Sequence, residues 1–414
     1  KYTDKYRFYT LFMLMLAGMN GIIITGDLFN LFVFVEIASI ASYALVAFGT
    51  EAEELEASFK YAVMGSVASS FILLGIAMLY SYTGTLNMAD ISLVISSKGA
   101  GILVNFIAVL FLMGFGLKAA LVPFHAWLPD AHPSAPAPIS AMLSGVFIKT
   151  LGVYALCRIF FNILGVSDKI LFILIILGVV SQVVGAVLAI AQSDIKRMFA
   201  YSSISQIGYI IFALGIGTPL AILGGLFHLF NHAVFKSLLF LNSGSIEYST
   251  DTRDLKKLGG LNRQLPVTGY TSMLGSMSIS GIPPLGGFFS KLIIIIAAIQ
   301  ARYFGAALIA ILVSIVTLAY YLKFLGNTFL GRPNAGWQKI NPVRNTYFPE
   351  EKNKISNGVK ETPKLMQLSM IVLSVICVIS GLLLLPSFKP FLESAANVLS
   401  AGKGYAETVF ANIK

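Results

Sequence analysis

Eleven stretches of this chain are long and apolar enough to cross a lipid bilayer, at 8–25, 28–49, 60–82, 101–127, 136–163, 169–191, 199–216, 219–246, 266–300, 303–330 and 365–386. A helical span takes about 20 mostly apolar residues, so that every backbone N–H and C=O bonds inside its own helix. The chain is therefore expected to be an all-α polytopic membrane protein. Spans of a β-barrel would run about ten residues with strict alternation, and these runs do not alternate. Of the 414 residues, 57% are hydrophobic and 12% charged, about half the charged share of a soluble domain. Mean hydropathy is +0.82. A soluble enzyme, a disordered chain and a nucleic-acid-binding module are excluded on these figures.

Several connections are very short, as at Gly26-Asp27 and Gly217-Thr218-Pro219, which makes neighbouring spans antiparallel. Successive loops then alternate between the two sides of the membrane. One side carries the start of the chain, the acidic stretch Glu51–Glu56, the loop around His125–Pro136, Asp194–Arg197, Glu247–Arg263 and the polar loop 331–364, with 16 Lys and Arg. The other carries 6, including those of the C-terminal tail. Positive charge collects on the cytoplasmic side. The expected localisation is a multi-pass cell-membrane protein with loop 331–364 cytoplasmic and the C-terminus outside. The net charge of +10 is explained by such loops without an acidic partner. The segment 388–413, short of a spanning run, is expected to lie along the outer surface. The single cysteines Cys157 and Cys377 sit in apolar runs with no metal or disulfide spacing.

Two spans carry awkward prolines. Lys118-Ala-Ala-Leu-Val-Pro123-Phe-His-Ala-Trp-Leu-Pro129-Asp closes the fourth, and Ser280-Gly-Ile-Pro283-Pro284-Leu-Gly-Gly-Phe-Phe-Ser-Lys291 lies in the ninth. Proline removes a helical hydrogen bond, and in a membrane the freed groups survive only against protein or water. The breaks are five spans apart, and five is odd, so equivalent spans run in opposite directions. The expected organisation is two inverted five-span repeats, 1–165 and 166–330. The polar loop 331–364 and a last span with an interfacial segment, 365–414, follow.

Seven Lys and Arg lie inside spans: Lys60, Lys118, Lys149, Arg158, Lys236, Lys291 and Lys323. Each charge at mid-span costs about 2.5–3.5 kcal/mol on insertion scales. Lys60, Arg158 and Lys323 are near span ends and can snorkel to the interface. Glu36, Lys118, Lys149, Lys236 and Lys291 are deeper. A structural salt bridge explains two such charges, not a series on five spans. His228, His232 and Lys236 follow at i, i+4 and i+8, within about 80° of one helix face. Imidazole titrates near neutrality and can hand protons on; two core histidines are the rival reading. A zinc site is not favoured, because His228-Leu-Phe-Asn-His232 lacks the glutamate that follows the first histidine in zincins. Burial disfavours a charged lysine and a nearby carboxylate restores it, so moving a counter-ion can switch a buried lysine.

These residues sit in recognisable strings. Thr25-Gly-Asp-Leu-Phe-Asn-Leu-Phe-Val-Phe-Val-Glu36 resembles the fifth helix of the D subunit of Mrp-type sodium/proton antiporters. The stretch from Lys118 to Ala131, with Pro138-Ile-Ser-Ala141 after it, is similar to the seventh and eighth helices of that family. Ser193 to Gly208, His228 to Lys236, and Gly287-Phe-Phe-Ser-Lys291 complete the match, which runs from residue 2 to about 330. The family includes the antiporter-like subunits of respiratory complex I and of energy-converting membrane-bound hydrogenases. The resemblance implies a core of fourteen helices, of which the first three would be missing here. It implies an ion pair of Glu36 and Lys118 opposite Lys149, a central link through His228 and His232 with Lys236 nearby, and Lys291 as the terminal lysine. Ser144 stands where many complex I members place a histidine, so the local route is expected to differ.

The function expected is proton translocation, with sodium/proton antiport as a related possibility, by one subunit of a multisubunit membrane complex. The sequence has no iron–sulfur cysteine run, haem pattern or nucleotide loop. No cofactor and no catalytic redox site are expected in this chain. The expected partners are the other membrane subunits of a hydrogenase, a complex-I-like module or an Mrp complex, in a lipid bilayer. A redox partner is the preferred source of energy. The alternatives are the D subunit of a stand-alone Mrp antiporter and a non-conducting structural anchor.

Overall fold

The computed structural model describes residues 4–331, less 100 and 166, and 359–411, less 388 and 403. Most of loop 331–364 and parts of segment 388–413 lie outside the described residues. The helices are α1 (Lys5–Ile24), α2 (Leu28–Val46), α3 (Ala52–Thr83), α4 (Met88–Lys98), α5 (Ile102–Lys118), α6 (Leu128–Ser134), α7 (Ala137–Leu164), α8 (Asp168–Ala191), α9 (Ile195–Ile216), α10 (Pro219–Thr250), α11 (Pro266–Ser280), α12 (Gly286–Gln300), α13 (Phe304–Leu330), α14 (Lys364–Leu384), α15 (Lys389–Ser400) and α16 (Gly404–Ala411). Among the described residues nine helices are long and apolar enough to cross a membrane. The α5–α6 and α11–α12 pairs supply the two interrupted crossings, which gives the eleven-span arrangement with breaks in the fourth and ninth.

Burial sorts the helices. Nearly every residue of α9 is buried, and α10 is buried along most of its length. These two form the axis. α1, α8, α13 and α14 are peripheral and turn large apolar side chains outward, such as Phe172, Val187, Leu308, Leu312, Ile315, Leu368 and Val375. In water such faces would have to be covered; in a bilayer they are the lipid surface.

The inverted repeat is written into the chain's turns. Thr83-Gly84-Thr85-Leu86-Asn87 ends α3 and Thr250-Asp251-Thr252-Arg253-Asp254 ends α10 by the same device. Thr83 Oγ1 donates to the Leu79 and Thr85 carbonyls at 2.8 and 3.1 Å, and Thr250 Oγ1 to those of Ile246 and Thr252 at 2.7 and 3.1 Å. Gly84 and Asp251 both take left-handed backbone, φ 76 and 53. Each turn then forms one isolated antiparallel bridge, Asp27 with Asn87 and Asp194 with Asp254. Asp27 and Asp194 in turn cap α2 and α9, accepting from the Asn30 and Arg197 amides, both at 2.8 Å. The first bridge lies where α1 and α3 end, the second where α8 and α10 end. Five crossings separate them, so they sit at opposite ends of the bundle.

Two sequence expectations need correction. The third span begins at Ala52, not 60, because Glu51 forms a capping box with Glu54. Glu53 and Glu54 then sit in the first turn, where the helix dipole favours anions. Glu51–Glu56 is thus a helix start and not a loop. Helix α4, 11 residues long and capped by Asn87, fills the connection between the third and fourth spans. Arg158 reaches a defined partner near its helix end. Its guanidinium lies 4.4 Å from the Tyr405 ring centroid and donates to Tyr405 Oη at 3.0 Å. Asn162 donates to the Val398 carbonyl at 2.9 Å, so α7 holds α15 and α16 against the bundle.

Candidate functional site

Glu36 lies mid-way along α2, and Ser39 and Tyr43 follow at i+3 and i+7 on the same face. Lys118 ends α5 opposite that face. Its Nζ is 3.6 Å from Glu36 Oε1, 2.9 Å from Ser39 Oγ and 3.4 Å from Tyr43 Oη. Ser69 of α3 donates to Glu36. The lysine side chain is 3% exposed and the glutamate 29%, so the pair has one buried and one accessible partner. The helix stops here because Ala120 turns left-handed at φ 56 and Pro123 has no N–H to continue it. The freed backbone is met by protein, as a break at membrane depth requires. Trp127 Nε1 donates to the Leu117 carbonyl at 3.0 Å and Ser181 Oγ accepts from the Val122 amide at 3.1 Å. Trp127 also stacks on Tyr61 at 4.2 Å between centroids, and Tyr61 meets Tyr43 edge-on. The break, the lysine and its tyrosine are one packed unit.

Lys149 projects from α7, which contains π-helical turns at Leu143–Phe147, Lys149–Tyr154 and Arg158–Leu164. Such wide turns recur at functional sites. The Lys149 ammonium donates to the Ser144 carbonyl. The Ser144 hydroxyl is 2.7 Å from Ser203 of α9, so the serine expected to alter the local route links α7 to the central helix. Gly152 lets α7 approach the α5 break; a Cβ there would lie 2.5 Å from Ala119 Cα.

On α10, His228 is bonded at both nitrogens, Nδ1 to Ser290 Oγ at 2.9 Å and Nε2 to Gln206 Oε1 at 3.2 Å. His232 lies parallel to it, centroids 6.4 Å apart and planes 8° apart. Both nitrogens of His232 are buried without a hydrogen-bond partner. Lys236 donates to the Phe199 carbonyl at 2.7 Å and to Ser202 Oγ, with Tyr321 Oη at 3.4 Å. Lys291, on α12 beyond the second break, donates to the Ile279 carbonyl at 2.8 Å, and Ser314 Oγ is 3.3 Å away. Its ammonium also lies 4.9 Å from the Tyr209 ring centroid.

All seven sequence-predicted residues thus face the interior. One relationship is a direct contact, Glu36 with Lys118, and His228 and His232 lie parallel one turn apart. Lys149, Lys236 and Lys291 make no carboxylate ion pair among the described residues and rest on carbonyls and hydroxyls instead. Buried cations held this way are ligated by groups that also bind water and protons. No cluster of three His, Cys, Asp or Glu side chains among the described residues is placed to hold a metal. Cys157 and Cys377 are buried and single.

The structure adds groups that sequence reasoning passed over. Lys196, expected to be a loop charge, is 2% exposed and pairs with Glu247 at 2.9 Å. Asp194 caps the helix, and Ile195, Met198 and Phe199 make its first turn apolar, so the lysine is drawn into the packed interior with them. His132 is wholly buried with neither ring nitrogen bonded. Ser39, Tyr43, Gln206, Ser290 and Tyr321 carry no charge, so nothing in the sequence marked them.

A bundle of eleven crossings with two broken helices and a buried row of lysines and histidines defines a polytopic membrane protein with a polar interior. The chain belongs to the NADH:quinone oxidoreductase/Mrp antiporter transmembrane family, whose model matches residues 25–317. It is 40% identical over 329 residues to the D subunit of the Na(+)/H(+) antiporter of Alkalihalophilus pseudofirmus, covering 79% of this chain and 66% of that relative. It is 37% identical over 340 residues to the N subunit of the NADH-quinone oxidoreductase of Desulforudis audaxviator, covering 81% and 68%. The chain therefore spans about two thirds of the length of these relatives. Among solved structures it resembles a chain of the Mrp complex from Dietzia, with TM-score 0.84, 30% identity, and 96% and 79% of the two chains covered. It also resembles a chain of an archaeal membrane-bound sulfane sulfur reductase, with TM-score 0.85, 31% identity, and 98% and 78% covered.

Proposed function

We propose that this chain is an ion-translocating subunit of a multisubunit membrane complex, and that protons move along Glu36, Lys118, Lys149, His228, His232, Lys236 and Lys291. The observation that carries this is the set of interior lysines without carboxylate partners. Each is a large penalty in a membrane, and a structural salt bridge accounts for none of them. Opening or closing the Glu36–Lys118 pair changes the field at the next lysine, and the histidines bridge the two repeats, divided at 165 and 166. Lys291 ends the route. Sodium/proton antiport is the related mode, supported by the relative from a Na(+)/H(+) antiporter.

The chain carries no redox group of its own in this reading. The energy comes from partner subunits, of a hydrogenase-like or complex-I-like module, or the chain works in a stand-alone Mrp antiporter. Likeness to chains of both an Mrp complex and a sulfur-reducing respiratory complex supports assembly with other membrane subunits. The chains that copurify with it decide between the two. The proposed placement is the cell membrane, with loop 331–364 cytoplasmic and the C-terminus outside. The test is proton flux in proteoliposomes of the whole complex carrying Glu36→Gln, Lys118→Met or Lys149→Met. Loss of most flux at normal assembly is expected; near wild-type flux in all three would leave the non-conducting anchor.

A further inference from the structure

The connection that follows the α5 break ends in the wall of a polar cavity. Pro133, Ser134 and Ala135 line a cavity of about 390 Å³ together with Glu51, Glu53, Glu54, Lys196, Glu247 and Arg253. Glu51 and Glu53 are exposed, so this cavity meets the surface at the end of the bundle proposed to be cytoplasmic. Cations pin its wall. Lys196 Nζ is 3.2 Å from the Ala135 carbonyl, and Arg253 donates to the Pro133 carbonyl while lying 3.3 Å from Asp194 and 3.7 Å from Glu247.

His132 is the residue immediately before that wall. It is 0% exposed. Its carbonyl accepts from Ser140 Oγ at 2.8 Å, and its ring rests 4.8 Å from Phe240 of α10. Neither ring nitrogen has a partner. A buried polar group of this kind needs an explanation, because leaving it unsatisfied costs about 1–3 kcal/mol. Lys196 bonds the Ala135 carbonyl three residues further on, and the Phe240 ring on which His132 rests lies 5.9 Å from Lys236 Nζ. Lys196 belongs to the cavity; Lys149 and Lys236 belong to the interior route. The ring thus stands between the two sets. A leucine or phenylalanine would fill the same apolar space against Phe240 with no unsatisfied nitrogen.

We propose that His132 is the relay through which protons pass from the carboxylate-lined cavity to Lys149 and Lys236. It rests on the reading that this chain conducts protons. One ring nitrogen accepts a proton arriving from Glu247 or from water in the cavity. The other nitrogen releases its proton through water to a deprotonated lysine amine, which leaves the ring in the opposite tautomer, and rotation of the ring restores the first. Charge is conserved at each hop and no electrons move. The ring need not hold a positive charge among three lysines for longer than the transfer.

The experiment is proton flux and complex yield for the whole complex carrying His132→Phe or His132→Gln, beside Glu36→Gln and Lys149→Met in the same membranes. Phe keeps the flat ring and the contact with Phe240; Gln keeps polarity without titrating. The relay predicts flux lowered about ten-fold or more in both, with normal yield. Wild-type flux in either assembled His132 variant, while Glu36→Gln and Lys149→Met lose theirs, overturns the relay and leaves the conduction reading intact. Failure of both His132 variants to assemble makes the histidine a packing residue and overturns it too. Wild-type flux in all four variants removes the conduction reading itself.

Discussion

Lys118 lies closer to the hydroxyl of Ser39 than to the carboxylate of Glu36, 2.9 Å against 3.6 Å. A charge-assisted N–H to carboxylate bond is normally about 2.7–2.9 Å, so the ion pair is loose and the hydroxyl holds the ammonium. Ser39→Ala removes the nearer partner, and a hydrogen bond to a charged group contributes about 1.5–3 kcal/mol. The ammonium is then expected to close onto Glu36 and to release it less readily. Proton flux should fall several-fold at normal assembly, less severely than in Glu36→Gln. Unchanged or faster flux in assembled Ser39→Ala would show that the spacing of this pair does not govern transport.

The two histidines of α10 differ in what holds them. His228→Phe strips a partner from Gln206, a loss of about 1–3 kcal/mol for an unsatisfied buried group. Ser290 keeps its bond to the Gly287 carbonyl at 3.1 Å. His232→Phe breaks no hydrogen bond. If both relay protons, each variant loses flux, but only His228→Phe lowers the thermal midpoint of the purified complex, and the double variant stops flux altogether. Normal flux in the assembled double variant leaves the lysines alone to carry the route.

Much of this arrangement is legible in the sequence because run length settles depth. A charge in the middle of an apolar stretch, such as Glu36 or Lys236, has nowhere to go but the bundle. The proline breaks five spans apart disclose the inverted repeat for the same reason. Lys196 and His132 are harder. Each sits within a turn or two of a helix end, where the sequence alone does not separate a wet surface from a packed turn. What buries them is tertiary, Glu247 and Phe240 of a helix far along the chain. The Thr-x-Thr pattern at 83–85 and 250–252 is visible in the sequence, but its meaning comes only from the bridges it positions. Ser39 and Gln206 are ordinary helix residues until the lysine and histidine they face are known.

Helices α8 and α9 pack with backbone against backbone. A Cβ at Gly185 would lie 2.5 Å from the Ser205 amide, and one at Gly208 2.5 Å from that of Gln182. Small residues serve this purpose in membranes, where dispersion rather than water exclusion drives association. Gly185→Ala is expected to force the helices apart at about 1–3 kcal/mol. Ser202, Ser203 and Gln206 on α9 would move with it, so complex yield and flux should fall together. Gly305→Ala, where no atom lies within 4 Å of the added Cβ, is the control. An unaltered Gly185→Ala complex would mean that the interface can relax at no loss.

Asp251 marks where the two repeats differ within their shared turn. At the matching position Gly84 takes left-handed backbone without a side chain, whereas Asp251 does so at φ 53 with one. Its carboxylate also stands at the C-terminal, negative end of the α10 dipole. Burial and the nearby Glu247 raise its carboxyl above the ordinary range. A carboxyl with a raised folded pKa binds its proton more tightly in the fold than in the unfolded chain. It favours the fold at pH below its unfolded pKa, and that contribution is lost as pH rises through the folded value. At neutral pH the anion is therefore a net cost. Asp251→Asn keeps the tolerance for left-handed backbone and removes the charge. It is expected to stabilise the protein by about 0.3–1 kcal/mol at neutral pH, and by less at acid pH, where Asp251 is already protonated. The check is the thermal midpoint of the purified complex at the two pH values. A midpoint that falls at neutral pH, or a gain of the same size at both, would show that the charge at this turn is not what limits it.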